Sequence, residues 1–508
     1  MKDRNPTLQR ALLRIAASVV LLAVSAGIAV YQRSNPEPES AGYDTKVIPP
    51  NCADSGYTLY TSRDDGSTYT DDIVPALGHD FDRWQQVEAN EVITHSTRVC
   101  QVCGAWEDSF LYPEFSIPTL VLVGDLTGIG KKNEVKIQAS LTGGEQDVDC
   151  FATLKYQGHS SLNNDKKNYT LKFFTDESYT EKNKLTFSHW NKENKYILKA
   201  NYIDPSQCRN LICADIWADM VASREIIPEE LKGLSNYGAV DGFPVALYIN
   251  GSFEGLYTMN LHKDDDLFGM KDDREHAILI ANTDTEEEAF FRATAQFGED
   301  TPWEVEFCGT QEDTWAKEKL NRLITFVMES DDETFRRDLE KYLDVDSAVD
   351  YLLFVYAMGL TRHGADELVL ACYGSEDPWI ASVYDMETAF GLDQNGFTAA
   401  SPEEFLPFLE GDVWNSATGN LLWDRLLQNF YPQIQQRYRQ LRQTVLDPQR
   451  MCSRVRDYLS AIDPLLWEAD HAVYPHPNPQ LEHQKQITQY IPRRMELLDG
   501  ILLTETGV

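Results

Sequence analysis

Basic residues are scarce in this chain. Lys and Arg total 45 against 81 Asp and Glu, a formal net charge of −36. A nucleic-acid-binding face needs clustered Lys and Arg to neutralise phosphates, so this balance argues against such a partner. The acidic excess favours solubility and separation of copies and specifies no partner. No cysteine directly follows the N-terminal apolar run, which leaves a lipoprotein anchor without its attachment residue. The nine cysteines are an odd number, so they cannot all pair within one chain. Six of them (Cys150, Cys208, Cys213, Cys308, Cys372 and Cys452) are scattered through apolar segments. Cys208 and Cys213 are five apart on a predicted helix and face different ways. These six are expected to be mostly buried free thiols.

What is present suffices for two or three domains: 508 residues, of which 42% are apolar. Lys2, Arg4, Arg10 and Arg14 precede the uncharged run IAASVVLLAVSAGIAVY, Ile15 to Tyr31. Its 17 residues are near the minimum that spans a bilayer. Small residues at Val24-Ser25-Ala26 also fit a cleavage site. Residues 1–31 therefore read as a signal peptide or N-terminal membrane anchor. Retention of the basic flank on the cytoplasmic side places the remainder outside, membrane-anchored or secreted. Residues 32–50, with QRSNPEPESAG, read as a polar linker.

Residues 51–113 carry a Cys-x-x-Cys pair, Cys100 and Cys103, and an isolated Cys52. A shift of 38 residues sets Cys52 on Asn90, Ser62 on Cys100, Asp65 on Cys103 and Gly66 on Gly104. The unit resembles the small cysteine-knuckle repeats of secreted proteins from Gram-positive gut bacteria, in a degenerate form. Cys52, His79, Cys100 and Cys103 can supply the four N/S ligands that tetrahedral zinc takes. With half the cysteine positions replaced, a structural spacer is the favoured expectation over a zinc site, and one disulfide with a leftover thiol is the other alternative.

From residue 114 to 508 the pattern is that of a single α+β domain. Asn133–Leu141 and Lys166–Phe174 alternate as strands do, Asp149–Ser161 runs from a strand into a Gly/Ser turn, and Asn194–Asp204 is a further strand. Pro205–Val221 has helical spacing with Pro in its first turn. Gly242–Leu261 contains two apolar runs around Asn250-Gly251, the pair that a type I′ hairpin prefers. Beyond about residue 312 helices predominate. Leu320, Leu323, Ile324, Val327 and Met328 share one face, and Asp344 heads a second helix. Glu367–Tyr373 and Trp379–Asp385 form an embedded hairpin.

Four stretches occur in a recognisable order: LKYQGHSSLNNDKKNYTLKFF, YILKANYIDPSQCRNLICADIW, VDGFPVALYINGSFEGLYTMN and WIASVYDMETAFGL. From about Ile117 to beyond Gly396 the chain resembles the spore coat protein H (CotH) kinase family, in its gut-Firmicutes branch. The resemblance implies an atypical protein-kinase-like fold, β-rich in its N-terminal half and helix-rich in its C-terminal half. It implies ATP with Mg²⁺ or Mn²⁺ as cofactors, and phosphorylation of Ser or Thr in envelope or coat proteins. By the same resemblance Gly158, Ser160 and Ser161 cover phosphates, Lys166 or Lys167 neutralises them, and Arg209 meets either a phosphate or Asp204. Asp385 is a metal ligand and Glu387 stands where an Asp is usual. Gln157 replaces a usual Arg. In GLTRHGADELVLACY the family's catalytic Asp and metal-binding Asn fall on Arg362 and Glu367. Glu367 remains a metal ligand by chemistry. Arg362 cannot act as a base; a shifted loop makes Asp366 the catalytic base, with His363 a distant second. The expectations are a phosphoryl-transferring kinase, a catalytically impaired surface binding or scaffold protein and, third, a kinase-like fold doing other nucleotide chemistry such as AMP transfer.

Overall fold

The computed structural model describes residues 42–158, 160–281, 303–310, 312–360, 367–393, 395–396, 401–403, 421–475 and 482–503. The apolar run Ile15–Tyr31 and the loop residues Arg362, His363 and Asp366 lie outside them. Among the described residues no helix is long and apolar enough to cross a membrane.

The chain divides into two compact units. The first, whose described parts are residues 42–87 and 95–109, is built on three-stranded sheets. One comprises β1 (Tyr43–Ile48), β2 (Gly56–Ser62) and β3 (Thr68–Val74), all antiparallel. The other is β4 (Gln85–Ala89), β5 (Thr94–Val99) and β6 (Trp106–Leu111).

The second unit, residues 88–94 and from 110 onward, contains a closed barrel with strand order β10-β11-β13-β12-β7-β8-β9. These strands are β7 (Thr119–Val123), β8 (Val135–Thr142), β9 (Val148–Gln157), β10 (Asn168–Phe174), β11 (Lys195–Lys199), β12 (Gly242–Ile249) and β13 (Ser252–Leu261). Alternation along β8 turns Val135, Ile137, Ala139 and Leu141 inward, as a period of two requires. Asn250 and Gly251 both have positive φ, 49° and 80°, so the β12–β13 turn has the backbone that two-residue hairpins need. β7 pairs with β12 in parallel; the other pairings are antiparallel.

A second sheet runs β15-β14-β16-β17, formed by β14 (Ala277–Ala281), β15 (Trp303–Cys308), β16 (Val369–Cys372) and β17 (Ile380–Ser382). The expected hairpin is present, with Val369 opposite Ser382. A helical layer carries the second large core. Its members include α1 (Arg209–Ala222), α2 (Thr314–Glu329), α3 (Asp332–Asp338), α4 (Val345–Met358) and α5 (Leu421–Arg442). α6 (Pro448–Ser460), α7 (Pro464–Val473) and α8 (His483–Leu502) follow. The layout is α+β, strands first and helices later. α4 begins on an Asp344 side chain that accepts from Ser347 N, and ends on Gly359 at φ 65°.

Two local readings change, and one helix carries a kink. α1 starts at Arg209 rather than Pro205, because Gln207 sits at φ 57° and interrupts the helical path. Met328 is 37% exposed while Leu320, Leu323, Ile324 and Val327 are buried, so the apolar stripe is one residue narrower. The apolar segments on either side of Phe430 form one helix with a kink there, two residues before Pro432, which cannot donate to the ladder.

Candidate functional site

A polar cavity of about 540 Å³ opens at the end of the barrel beside the second sheet. Strand ends and the loops that follow them supply its walls. β9 delivers Gln157 and Gly158, and the Ser160–Asn163 turn delivers Ser160 and Ser161. β11 ends on Lys199, and Lys263 follows β13. Glu304 and Glu306 come from β15, Glu367 precedes β16, and Asp385 and Glu387 follow β17.

The acidic turn is built from below. Met386 N donates to Asn210 Oδ1 at 2.8 Å, and Ala389 O accepts from Arg209 Nε at 2.9 Å. Gln486 Nε2 donates to Phe390 O at 2.7 Å. The first two residues of α1 and one residue of α8 thus hold the backbone on which Asp385 and Glu387 stand. Asp385, Glu367 and Asn201 all line the cavity and all take left-handed backbone, at φ 52°, 62° and 47°. Non-glycine residues in that region are uncommon, and they concentrate where a site needs side chains aimed against local preference.

Lys199 organises the charges. Its Nζ lies 2.9 Å from Asp385 Oδ1 and 3.8 Å from Glu387 Oε2. Burial works against its charge, but Asp385 and Glu387 prevail and hold the ammonium well above the usual lysine range. Glu387 is pushed up to about 7, first by burial and then by the neighbouring Asp385 charge. Two crowded carboxylates, one of them reluctant to ionise, are a donor set that suits a hard divalent cation with oxygen ligands. Lys263 Nζ reaches Glu306 Oε2 at 2.9 Å and lies 4.4 Å from the ring centre of Tyr384, the neighbour of Asp385.

The residues singled out from sequence separate into two groups. Gly158, Ser160, Ser161, Lys166, Glu367, Asp385 and Glu387 line this one cavity. Lys167 and Arg209 do not. Lys167 Nζ closes its own loop by donating to Leu162 O at 2.8 Å and to Asn164 O. Arg209 is fully buried, ion-paired with Asp204, and donates to Gln486 Oε1 at 2.8 Å and His483 Nδ1 at 3.2 Å. Lys166 borders the cavity, but its ammonium is 2.7 Å from both Asp470 Oδ1 and Leu256 O. Burial lowers its pKa in spite of Asp470. Asp366 lies outside the described residues. Sequence reasoning missed Lys199 and Lys263. The available signal was a lysine closing an apolar strand immediately before a turn, in YILKAN and NLHKDD.

Gly158 has φ 108°, and a Cβ there would collide with Ser161 Oγ. Gly158→Ala is expected to destabilise the fold by roughly 1–3 kcal/mol through backbone strain. Denaturant unfolding followed by tryptophan fluorescence checks this.

A family model described as CotH kinase protein matches residues 154–498, well over half of the chain. That span includes every cavity-lining residue but Lys131, the acidic turn and the helix residues that support it. No curated protein matches the chain.

Proposed function

This chain belongs to the CotH kinase protein family, and from that premise we propose that it transfers phosphate from ATP to Ser or Thr hydroxyls of an envelope or coat protein. The observation that carries the reading is the Lys199–Asp385–Glu387 cluster in a cavity of about 540 Å³. Phosphoryl transfer needs little covalent chemistry from the protein; it needs cations on the phosphates and carboxylates for the metal. Mg²⁺ or Mn²⁺ supplies charge neutralisation of the phosphates when bound. Asp385 and Glu387 would hold it, with Glu367 a further carboxylate lining the same cavity. Lys199 and Lys263 bring positive charge to an anionic ligand, and Gly158 lets the Ser160–Ser161 backbone approach closely. The apolar run Ile15–Tyr31 supports placement of this chemistry outside the cytoplasm, on the membrane or released from it.

The chain departs from the family pattern at Arg362, and this supports a second reading, a binding or scaffold protein with impaired catalysis. One experiment separates the two. Full-length chain is incubated with Mg²⁺ or Mn²⁺, a Ser/Thr-containing protein acceptor and ATP labelled at either the γ or the α phosphate. Transfer of γ-label supports the kinase. Transfer of α-label identifies AMP transfer instead. Metal-dependent ATP binding with no transfer identifies the impaired binder, and absence of ATP binding overturns both enzyme readings, phosphate transfer and AMP transfer. Lys199→Met is expected to weaken metal–ATP binding at least tenfold, the loss of one charge-assisted contact of about 1.5–3 kcal/mol. Lys199→Arg should recover part of it. Calorimetric titration reads both.

A further inference from the structure

The first unit presents a problem of stability that the cavity does not touch. Across its described residues only Cys52, Gly56, Thr58 and Cys100 are fully buried. β3, β4 and β6 are exposed along their whole length. Val47, Ile73, Leu77, Val102 and Trp106 are each at least two-thirds exposed. Two small sheets without an apolar core do not hold together by burial; units of this size are usually stapled by a metal or by disulfides.

The staple is visible in the side chains. The ligating atoms of Cys52, His79, Cys100 and Cys103 all lie within 4.8 Å of one another. Cys52 Sγ is 4.0 Å from Cys100 Sγ, and Cys103 Sγ is 3.2 Å from His79 Nδ1. A tetrahedral zinc with bonds of about 2.3 Å to sulfur and 2.0–2.1 Å to nitrogen has edges of about 3.8 Å (S···S) and 3.6 Å (S···N). The observed separations bracket those edges. The backbone brings all four together. Leu77 N and Gly78 N donate to Asn51 O and Cys52 O, at 2.9 and 3.1 Å. Gln101 N donates to Asp80 O at 2.9 Å, and Phe81 bridges Cys100. The segment carrying His79 is therefore laced to Cys52 on one side and to the Cys-x-x-Cys on the other. Gly104 at φ 76° closes the knuckle, its N–H donating to Cys100 O at 3.0 Å.

We propose that Cys52, His79, Cys100 and Cys103 form a structural zinc site that holds the first unit together. The 38-residue alignment explains why the set looks incomplete in sequence: the segment that keeps Cys52 and His79 has Ser62 and Asp65 at the pair, while the next has Cys100 and Cys103. Each segment lacks what the other supplies, so one site joins both. Zinc binding displaces the thiol protons to solvent and changes no oxidation state.

The test uses full-length protein produced with zinc in the medium. Atomic emission should find about one zinc per chain after dialysis. Thiol titration in denaturant with chelator should find all nine cysteines reduced. Cobalt substitution should yield the visible and thiolate charge-transfer bands of a tetrahedral sulfur-rich site. His79→Ala should weaken zinc binding by more than the roughly 10–100-fold that loss of an outer-shell partner costs. Because His79 carries no thiol, that variant leaves every cysteine able to pair and separates the two staples. Chelation should raise hydrogen exchange in residues 42–87 and 95–109 while the barrel stays protected. A chain with no bound zinc, or with two thiols missing from the titration, overturns the proposal.

Discussion

Asp385→Asn is expected to abolish most metal-dependent phosphoryl transfer, by on the order of 10²–10³-fold in kcat, while leaving the chain folded. The loss follows from charge. An amide cannot replace the carboxylate in neutralising a hard cation, and Glu387 alone retains only one acidic arm at the turn. Asparagine is the appropriate replacement because position 385 has φ 52°, a backbone that Asn tolerates at least as well as Asp. Alanine would add strain and confuse the reading. Folding should survive because Lys199 keeps Glu387 at 3.8 Å as a counter-ion, and because the turn is anchored through Asn210 and Arg209 rather than through the Asp385 side chain. The measurement is initial rate of γ-phosphate transfer against metal concentration, alongside the denaturation midpoint. An unchanged rate with intact metal dependence would remove Asp385 from the site.

Arg209→Ala is expected to destabilise the second unit by about 3–5 kcal/mol, the usual result of removing one partner from a buried ion pair. Its guanidinium is fully buried, and its partner Asp204 is 1% exposed. Four further contacts, to Ala389 O, Ser206 Oγ, Gln486 and His483, are lost with it. The pH dependence carries a sign that tests the cause. Burial pushes the Asp204 carboxyl up, Arg209 and His483 pull it down, and the net shift is downward. Stability from this pair is therefore complete above the unfolded carboxylate range near 4 and falls as pH drops through the lower folded value. Without Arg209 the buried carboxyl is pushed up instead, so the variant gains by protonation and its deficit against the parent narrows on acidification. Denaturant unfolding monitored by tryptophan fluorescence at several pH values reads this. Were Arg209 a phosphate ligand, the variant would lose nucleotide affinity at unchanged stability.

These two predictions divide the roles that sequence had joined. Asp385 lines the cavity. Arg209 and Asn210, which occur together as one motif, position the turn that carries it. A motif records that residues are required together, and it does not record which of them faces the cavity and which supports from behind.

Local chemistry alone settled several features of this protein. The type I′ turn at Asn250-Gly251, the Asp344 cap, the Gly359 stop and the hairpin leading to Asp385 all depend on backbone preferences within a few residues of themselves. The order of strands before helices was legible for the same reason, because burial periodicity is local. Long-range partners were not legible. Lys166 and Lys199 are both lysines beside strands, yet one is taken by Asp470, 304 residues away, and the other by Asp385, 186 residues away. Cys52 and Cys100, 48 residues apart, look like remnants until the chain folds them together. Charge pairing and ligand sets are decided by distance in space. For the two lysines that distance is set by barrel closure and by the packing of the helices, and for the cysteines by the backbone pairing that brings their segments together.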